Sequence, residues 1–305
     1  MPMNWDIFAK MSKKPFVYLI RKRALGDVLW IEPLIRQLAS RNKKVIVYTK
    51  YPELFLHYPL PNVRFVNRLR FREKAAWMLE QLFHVHYFFI DLEHAYEKNP
   101  RVHFLVAYQR EAGLPLTHEY PRIYLSDEEL AYRPPGINGK YVVLHLESLT
   151  NRNYRKVFGV DWSEVVSALS AKGLTVILIG KNPDPIAGAI HVKSSIRGMI
   201  LVIHGAAMFI GIDSGPSHLA AALGVPSLIF FGAINPDFRH FRDLLKGRIL
   251  QQYCEFAGCY HEGPPGVEPS CRLVGDNGIP KCSLHTTNYV LNNIDLLIKD
   301  FPIHD

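Results

Sequence analysis

Short apolar runs alternate with stretches of helical periodicity along most of this chain. Residues 16–20, 45–48, 63–66 and 87–90 are apolar runs of strand length, and residues 27–39 set Val28, Ile31, Leu34, Ile35 and Leu38 on one helical face. Such alternation predicts a parallel, doubly wound sheet. A charged stretch from Ser126 leads into Pro134-Pro135-Gly136 and Asn138-Gly139, which neither a helix nor a strand readily continues, so residues 134–140 read as a linker. The alternation then restarts, with strands at 141–146, 174–179, 208–212 and 227–231 and helices at 161–171, at 198–204 and from Pro216. The expected fold class is α/β: a Rossmann-like domain over 1–133 and a second over 141–285, the two facing a central cleft. Residues 286–305 predict a C-terminal helix that packs back on the first domain. Open α/β sheets bind ligands at the carboxyl ends of their strands, so a site in the cleft is expected.

With 305 residues, 48% of them hydrophobic, the chain has material for two cores. No uncharged apolar run is long enough to span a bilayer, and residues 1–14 lack the apolar centre of a secretory signal, so the expected location is the cytoplasm. The formal charge of +8 gathers at Arg21-Lys22-Arg23, at 64–74 and at 152–156. That excess suits an anionic partner: a nucleotide phosphate, nucleic acid, or the acidic inner face of a membrane. No zinc-finger, RNP or basic-zipper pattern speaks for nucleic acid.

Two corners join strand to helix with polar residues. In the second half, apolar residues 209–212 run through Asp213-Ser214-Gly215-Pro216-Ser217-His218 into a helix. Pro216 suits the first helical position and Ser214 or Gly215 the N-cap. The amides of Gly215, Ser217 and His218 are then expected to point outward at the positive end of the helix dipole, a seat for a diphosphate. The same segment also reads as an ordinary capped turn. In the first half, Asp27 opens a helix after Gly26, and is either an N-cap or a cleft carboxylate that accepts a proton from an attacking hydroxyl. The dinucleotide fingerprint and the P-loop are both missing, which disfavours a nicotinamide dehydrogenase or a P-loop ATPase.

All four cysteines fall late in the chain, at Cys254, Cys259, Cys271 and Cys282, in a stretch rich in Gly and Pro. A structural thiolate metal site holding zinc or iron, free buried thiols, and disulfides are the three readings. A reducing compartment favours the metal over disulfides.

Leu25-Gly26-Asp27-Val28-Leu29 followed by Glu32-Pro33-Leu34-Ile35-Arg36, together with Asp213 to Pro226, Phe231-Gly232 and Asn235-Pro236, resembles glycosyltransferase family nine, the heptosyltransferases of lipopolysaccharide synthesis. The resemblance implies a GT-B architecture, a nucleotide-diphosphate-sugar donor held by the second domain, inversion at the anomeric carbon, and no cofactor required for the chemistry. Asp27 matches the position of the family's general base, and Asp213, Ser214, Gly215, Pro216, Ser217 and His218 match its donor corner. Lys156, with Phe158 in the aromatic place, is the candidate for the basic residue that reaches the donor phosphates, and Arg152 or Arg155 offers the same charge. The activity so implied moves a heptose from ADP-heptose to a hydroxyl of a lipopolysaccharide core or related glycan. Other readings are transfer to a protein acceptor, a nucleotide-sugar epimerase or hydrolase on the same fold, and a non-catalytic glycan- or nucleotide-binding protein. Among relatives the cysteine region recurs, and an iron-bearing finger occurs in related protein heptosyltransferases.

Overall fold

Alternation of apolar runs and helices resolves into strands and connecting helices in the computed structural model, which describes residues 15–41, 43–83, 85, 87–99, 101–148, 155–261, 271 and 278–303. The chain divides into two units, Met1–Leu125 and Ser126–Asp305.

The first unit runs β1 (Phe16–Ile20), α1 (Leu25–Leu29), α2 (Glu32–Ala39), β2 (Lys44–Tyr48), β3 (Val63–Val66), α3 (Phe71–Leu82), β4 (Phe89–Asp91), α4 (Ala95–Lys98) and α5 (Phe104–Glu111). Its strands form a parallel sheet in the order β3-β2-β1-β4, with Tyr18, Ile20, Ile46 and Phe89 in one shared core. The single helix expected over 27–39 is instead two, because Pro33 has no N–H to give the Leu29 carbonyl and its ring crowds that carbonyl. The strand expected at 87–90 starts later, at Phe89. The buried Glu80 carboxylate takes the amides of Tyr87, Phe88 and Phe89, at 2.8, 2.8 and 3.1 Å.

The second unit runs α6 (Asp127–Leu130), β5 (Tyr141–His145), α7 (Trp162–Ala171), β6 (Thr175–Ile179), β7 (Ile190–Val192), α8 (Ile196–His204), β8 (Met208–Ile212), α9 (Gly215–Ala222), β9 (Ser227–Phe230), β10 (Gly247–Leu250) and α10 (Thr287–Asp300). Its parallel sheet has the order β10-β9-β8-β5-β6-β7, so the winding direction reverses between β5 and β8. Gly211 of β8 lies beside His145 there, and a Cβ on it would come within 2.7 Å of the His145 carbonyl oxygen.

Two boundaries move from their expected places. The units divide ahead of the expected 134–140 linker, because α6 is held to α8 by a two-pronged ion pair: Arg197 Nε donates to Glu129 Oε1 at 2.7 Å and Nη2 to Oε2 at 2.5 Å. Helix α10, expected against the first domain, puts Val290, Ile294 and Leu297 into the core of the second unit, beside Val165, Leu169 and Phe230. Its apolar residues recur at helical spacing, and that stripe is the face it buries there.

Candidate functional site

Arg21 continues β1 past its last paired residue, and the chain then turns through Ala24, the one non-glycine residue with positive φ among those described, at 61°. A side chain in that backbone region costs about 1–3 kcal/mol, so the turn into α1 is held by its surroundings. Asp27 sits in the first turn of α1. Its Oδ1 accepts from Arg21 Nη2 and from the Tyr108 hydroxyl at 3.2 Å. Its Oδ2 receives no hydrogen bond among the described residues, and the side chain keeps 15% of its surface exposed.

The groups that hold Asp27 are themselves fixed. Arg21 is buried and donates to the carbonyls of Leu92 and Glu93, the residues just past β4. Burial works against its charge, but facing Tyr108 and Asp27 outweigh burial and hold its pKa above the ordinary arginine value. Tyr108, from α5, is fully buried, and burial followed by the Asp27 charge pushes its hydroxyl well above the ordinary range. It therefore stays a donor at every working pH. Glu93 accepts the Lys22 amide, which fixes the start of the same turn. β1 and β4 are neighbours where the strand order reverses, the place where doubly wound sheets bind ligands.

The second unit builds an equivalent corner at its own reversal point. Asp213 follows β8, and Pro216 takes an early helical position in α9. Ser214 does not cap with its side chain: Oγ donates to the Ile212 carbonyl at 3.1 Å and lies 3.2 Å from His145 Nδ1. With the hydroxyl proton so placed, His145 Nδ1–H is the donor to Ser214. Burial lowers the His145 pKa to about 4, so its ring is neutral near pH 7. Ser217 Oγ accepts the Ser214 amide at 3.1 Å and donates to the Ser214 carbonyl at 2.7 Å.

This arrangement corrects the expectation of three outward amides. Those of Ser217 and His218 bond the Ser214 carbonyl, at 3.1 and 3.3 Å, because the turn tightens around Ser214. Among the three, only the Gly215 amide has no hydrogen bond among the described residues.

Asp213 is buried, and its Oδ2 makes no hydrogen bond among the described residues. Two cationic or polar groups face it instead. Arg155 donates from Nη1 to the Asp213 carbonyl at 2.9 Å and lies 3.7 Å from Oδ2, while His218 Nε2 lies 3.7 Å from Oδ1. The His218 ring stacks on His240 at 4.5 Å. Burial, reinforced by His218, drives the His240 pKa well below the ordinary value. Asp213, His218 and His240 form the one set of three described ligand types whose atoms lie within 4.8 Å of one another. Lys156 is half-buried and makes no hydrogen bond or ion pair among the described residues, whereas Arg155 is on the corner. Arg152 lies outside the described residues.

Glu147, two residues past β5, accepts the amides of Lys181 and Asn182, at 2.5 and 3.2 Å, and so fixes the loop after β6. Arg21, Tyr108, Glu93, His145 and His240 are the residues that sequence reasoning missed. Arg21 stood in view as part of a basic cluster, but Tyr108 reaches Asp27 from a helix far along the chain and leaves no local signal.

All four cysteines are free, with Cys259 and Cys282 buried and Cys254 and Cys271 half-buried. Burial pushes the Cys282 thiol up to about 11, with Cys254, Cys271 and Cys259 adding to that rise. No three of the cysteine sulfurs lie within 4.8 Å of one another among the described residues.

Two doubly wound units, each with a polar strand-to-helix corner at its reversal point, define the GT-B fold of nucleotide-sugar transferases. The family model described as "Glycosyltransferase family 9 (heptosyltransferase)" matches residues 71–247, and this chain belongs to that family. Lipopolysaccharide heptosyltransferase 1 of Pseudomonas aeruginosa is 28% identical over 158 residues, 48% of this chain and 42% of that protein. Lipopolysaccharide heptosyltransferase 3 of Escherichia coli K12 is 31% identical over 120 residues, 34% of each. The matched stretches thus span less than half the length of these curated relatives.

Among solved structures, the dodecameric iron-containing heptosyltransferase TibC of enterotoxigenic E. coli, in complex with ADP-D-beta-D-heptose, superposes with a TM-score of 0.72 at 18% identity, covering 94% of this chain and 77% of that one. ADP-heptose lipopolysaccharide heptosyltransferase II of E. coli gives 0.61 at 15% identity, covering 93% and 98%.

Proposed function

We propose that this chain is an inverting transferase that moves a heptose from ADP-heptose to a hydroxyl of a lipopolysaccharide core or related glycan. The observation that carries the reading is the Asp27 carboxylate, held through Oδ1 by Arg21 and Tyr108 with Oδ2 left over. In the proposed step Oδ2 takes the proton of the acceptor hydroxyl as the acceptor oxygen forms its bond to the anomeric carbon. The bond from that carbon to the β-phosphate oxygen breaks, and ADP leaves with the electron pair. The Asp213 corner is assigned to the diphosphate: the Gly215 amide at the helix start and the Arg155 guanidinium are the donors that oppose its growing charge. Lys156 is a further cation on the same segment.

Incubation with ADP-heptose and a heptose-deficient core oligosaccharide tests this, with product mass and anomeric configuration as the readout. A heptose-extended acceptor with inverted configuration is expected. Donor loss without any acceptor product points to a hydrolase or epimerase, product on a protein instead points to a protein acceptor, and an intact donor points to a binding protein.

The cysteine segment is assigned a structural iron. Its support is the donor set, four free thiols, two of them buried, in the late part of the chain, together with the iron named for TibC. Cys254, Cys259, Cys271 and Cys282 would hold the ion, which would serve to tie this segment together. Elemental analysis of untagged protein should find iron in equimolar amount, and its removal should lower the unfolding temperature. Zinc in its place corrects the metal but keeps the site, while a metal-free protein with unchanged stability removes it.

A further inference from the structure

Helix α3 wears its apolar surface on the side away from the first unit. The inward side is held by polar groups: Glu73 accepts from the Tyr18 hydroxyl at 2.9 Å, the Trp77 indole donates to Asp91 at 3.1 Å, and Glu80 takes the amides that precede β4. Outward, Phe71, Met78 and Leu82 fall at spacings of seven and four, which places them on one line along the helix, with Leu79 and Phe83 beside it. Phe71 is 87% exposed, Leu82 70% and Phe83 67%.

The charges around that stripe share one sign. Arg64, Arg68, Arg70, Arg72 and Lys74 are all exposed. Arg72 and Lys74 stand on either side of the Phe71 line, at about 100° and 60° around the helix from it. The acidic residues in this span are Glu73 and Glu80, and both are spent on the inward bonds. An apolar stripe rimmed by cations, on a helix that lies along the surface, is the pattern of a segment that beds into the headgroup region of a bilayer. No described helix is long and apolar enough to cross one.

We propose that α3 docks this chain on a membrane bearing anionic lipid, with Phe71, Met78, Leu82 and Phe83 in the headgroup-acyl boundary and the five cations on lipid phosphates. Charge complementarity selects this occupant over a second copy of the chain. Two copies joined face to face through this stripe bring cations against cations, which is unfavourable. The proposal does not depend on the transfer activity.

Co-sedimentation of the full chain with vesicles tests it, using phosphatidylcholine alone and phosphatidylcholine mixed with phosphatidylglycerol. Binding to the mixed vesicles, weakened by salt, is expected. The variant Phe71→Ser/Leu82→Ser/Phe83→Ser should lose at least about tenfold in partitioning while its thermal unfolding stays in place, since these side chains are exposed. Arg70→Gln/Arg72→Gln should lose about fivefold per cation removed. If the triple variant does not fold, the charge variant still decides. Absence of binding, equal binding to neutral vesicles, or binding that neither variant reduces overturns the proposal. So does a wild-type oligomer in sedimentation velocity that ignores vesicles and dissociates in the triple variant.

Discussion

Asp27 is aimed by two donors on a single oxygen, and each is immobile for its own reason. Arg21 is tied to two backbone carbonyls, and Tyr108 is sealed in the core with a hydroxyl that does not ionise. Aim is therefore what Tyr108 contributes. Tyr108→Phe should lower kcat by about tenfold with little change in the KM for donor, since a hydrogen bond to a charged group is worth about 1.5–3 kcal/mol. A proportionate rise in KM with unchanged kcat would show that Tyr108 serves binding instead. Asp27 and Asp213 were legible in the sequence because each sits in a compact run whose neighbours, a glycine before or a proline after, mark a strand-to-helix corner. Tyr108 was not, because nothing local distinguishes it from a core aromatic.

At the scale of elements, both corners sit where the strand order reverses, β1/β4 in one unit and β5/β8 in the other. Periodicity alone found eight of the ten described strands, missing the short edge strands β7 and β10, and most helices, but strand order is set by pairing, which no single segment encodes. The splitting of residues 27–39 into two helices was readable from Pro33, whereas the late start of β4 depended on Glu80 reaching across to three amides. The cation beside Asp213 shows the same limit. A family pattern centred on Lys156 named this segment, and within it the fold brings Arg155, not Lys156, to Asp213. Arg155→Ala should weaken ADP binding by about tenfold or more in calorimetry, and Lys156→Ala by less, in line with a charge-assisted bond in one case and a solvated cation in the other. Equal losses would move the phosphate contact to Lys156.

Over the whole molecule, several buried histidines tie stability to pH. Burial lowers His145 and His285 from 6.5 to about 4, and holds His240 well below its ordinary value. The unfolded chain therefore takes up these protons first as pH falls. Their contribution is complete above about pH 6.5 and is lost progressively from there toward pH 4. Denaturant unfolding at stepped pH should show stability falling through that window, and His145→Gln should flatten the slope. A curve level from pH 7 to 4 would mean that these rings take up protons at the same pH in the folded chain as in the unfolded one. The composition had announced a basic chain but not where its charge acts. In the fold, Arg21 and Arg155 are turned to carboxylates at the two corners, while the cations of 64–74 remain on the surface.

The most direct test of the transferase account is the turnover of Asp27→Asn with ADP-heptose and a core acceptor, measured beside its affinity for ADP. The account predicts a loss in kcat of about 10²–10⁴, the worth of a general base, with ADP affinity unchanged. Turnover equal to the parent protein would contradict it.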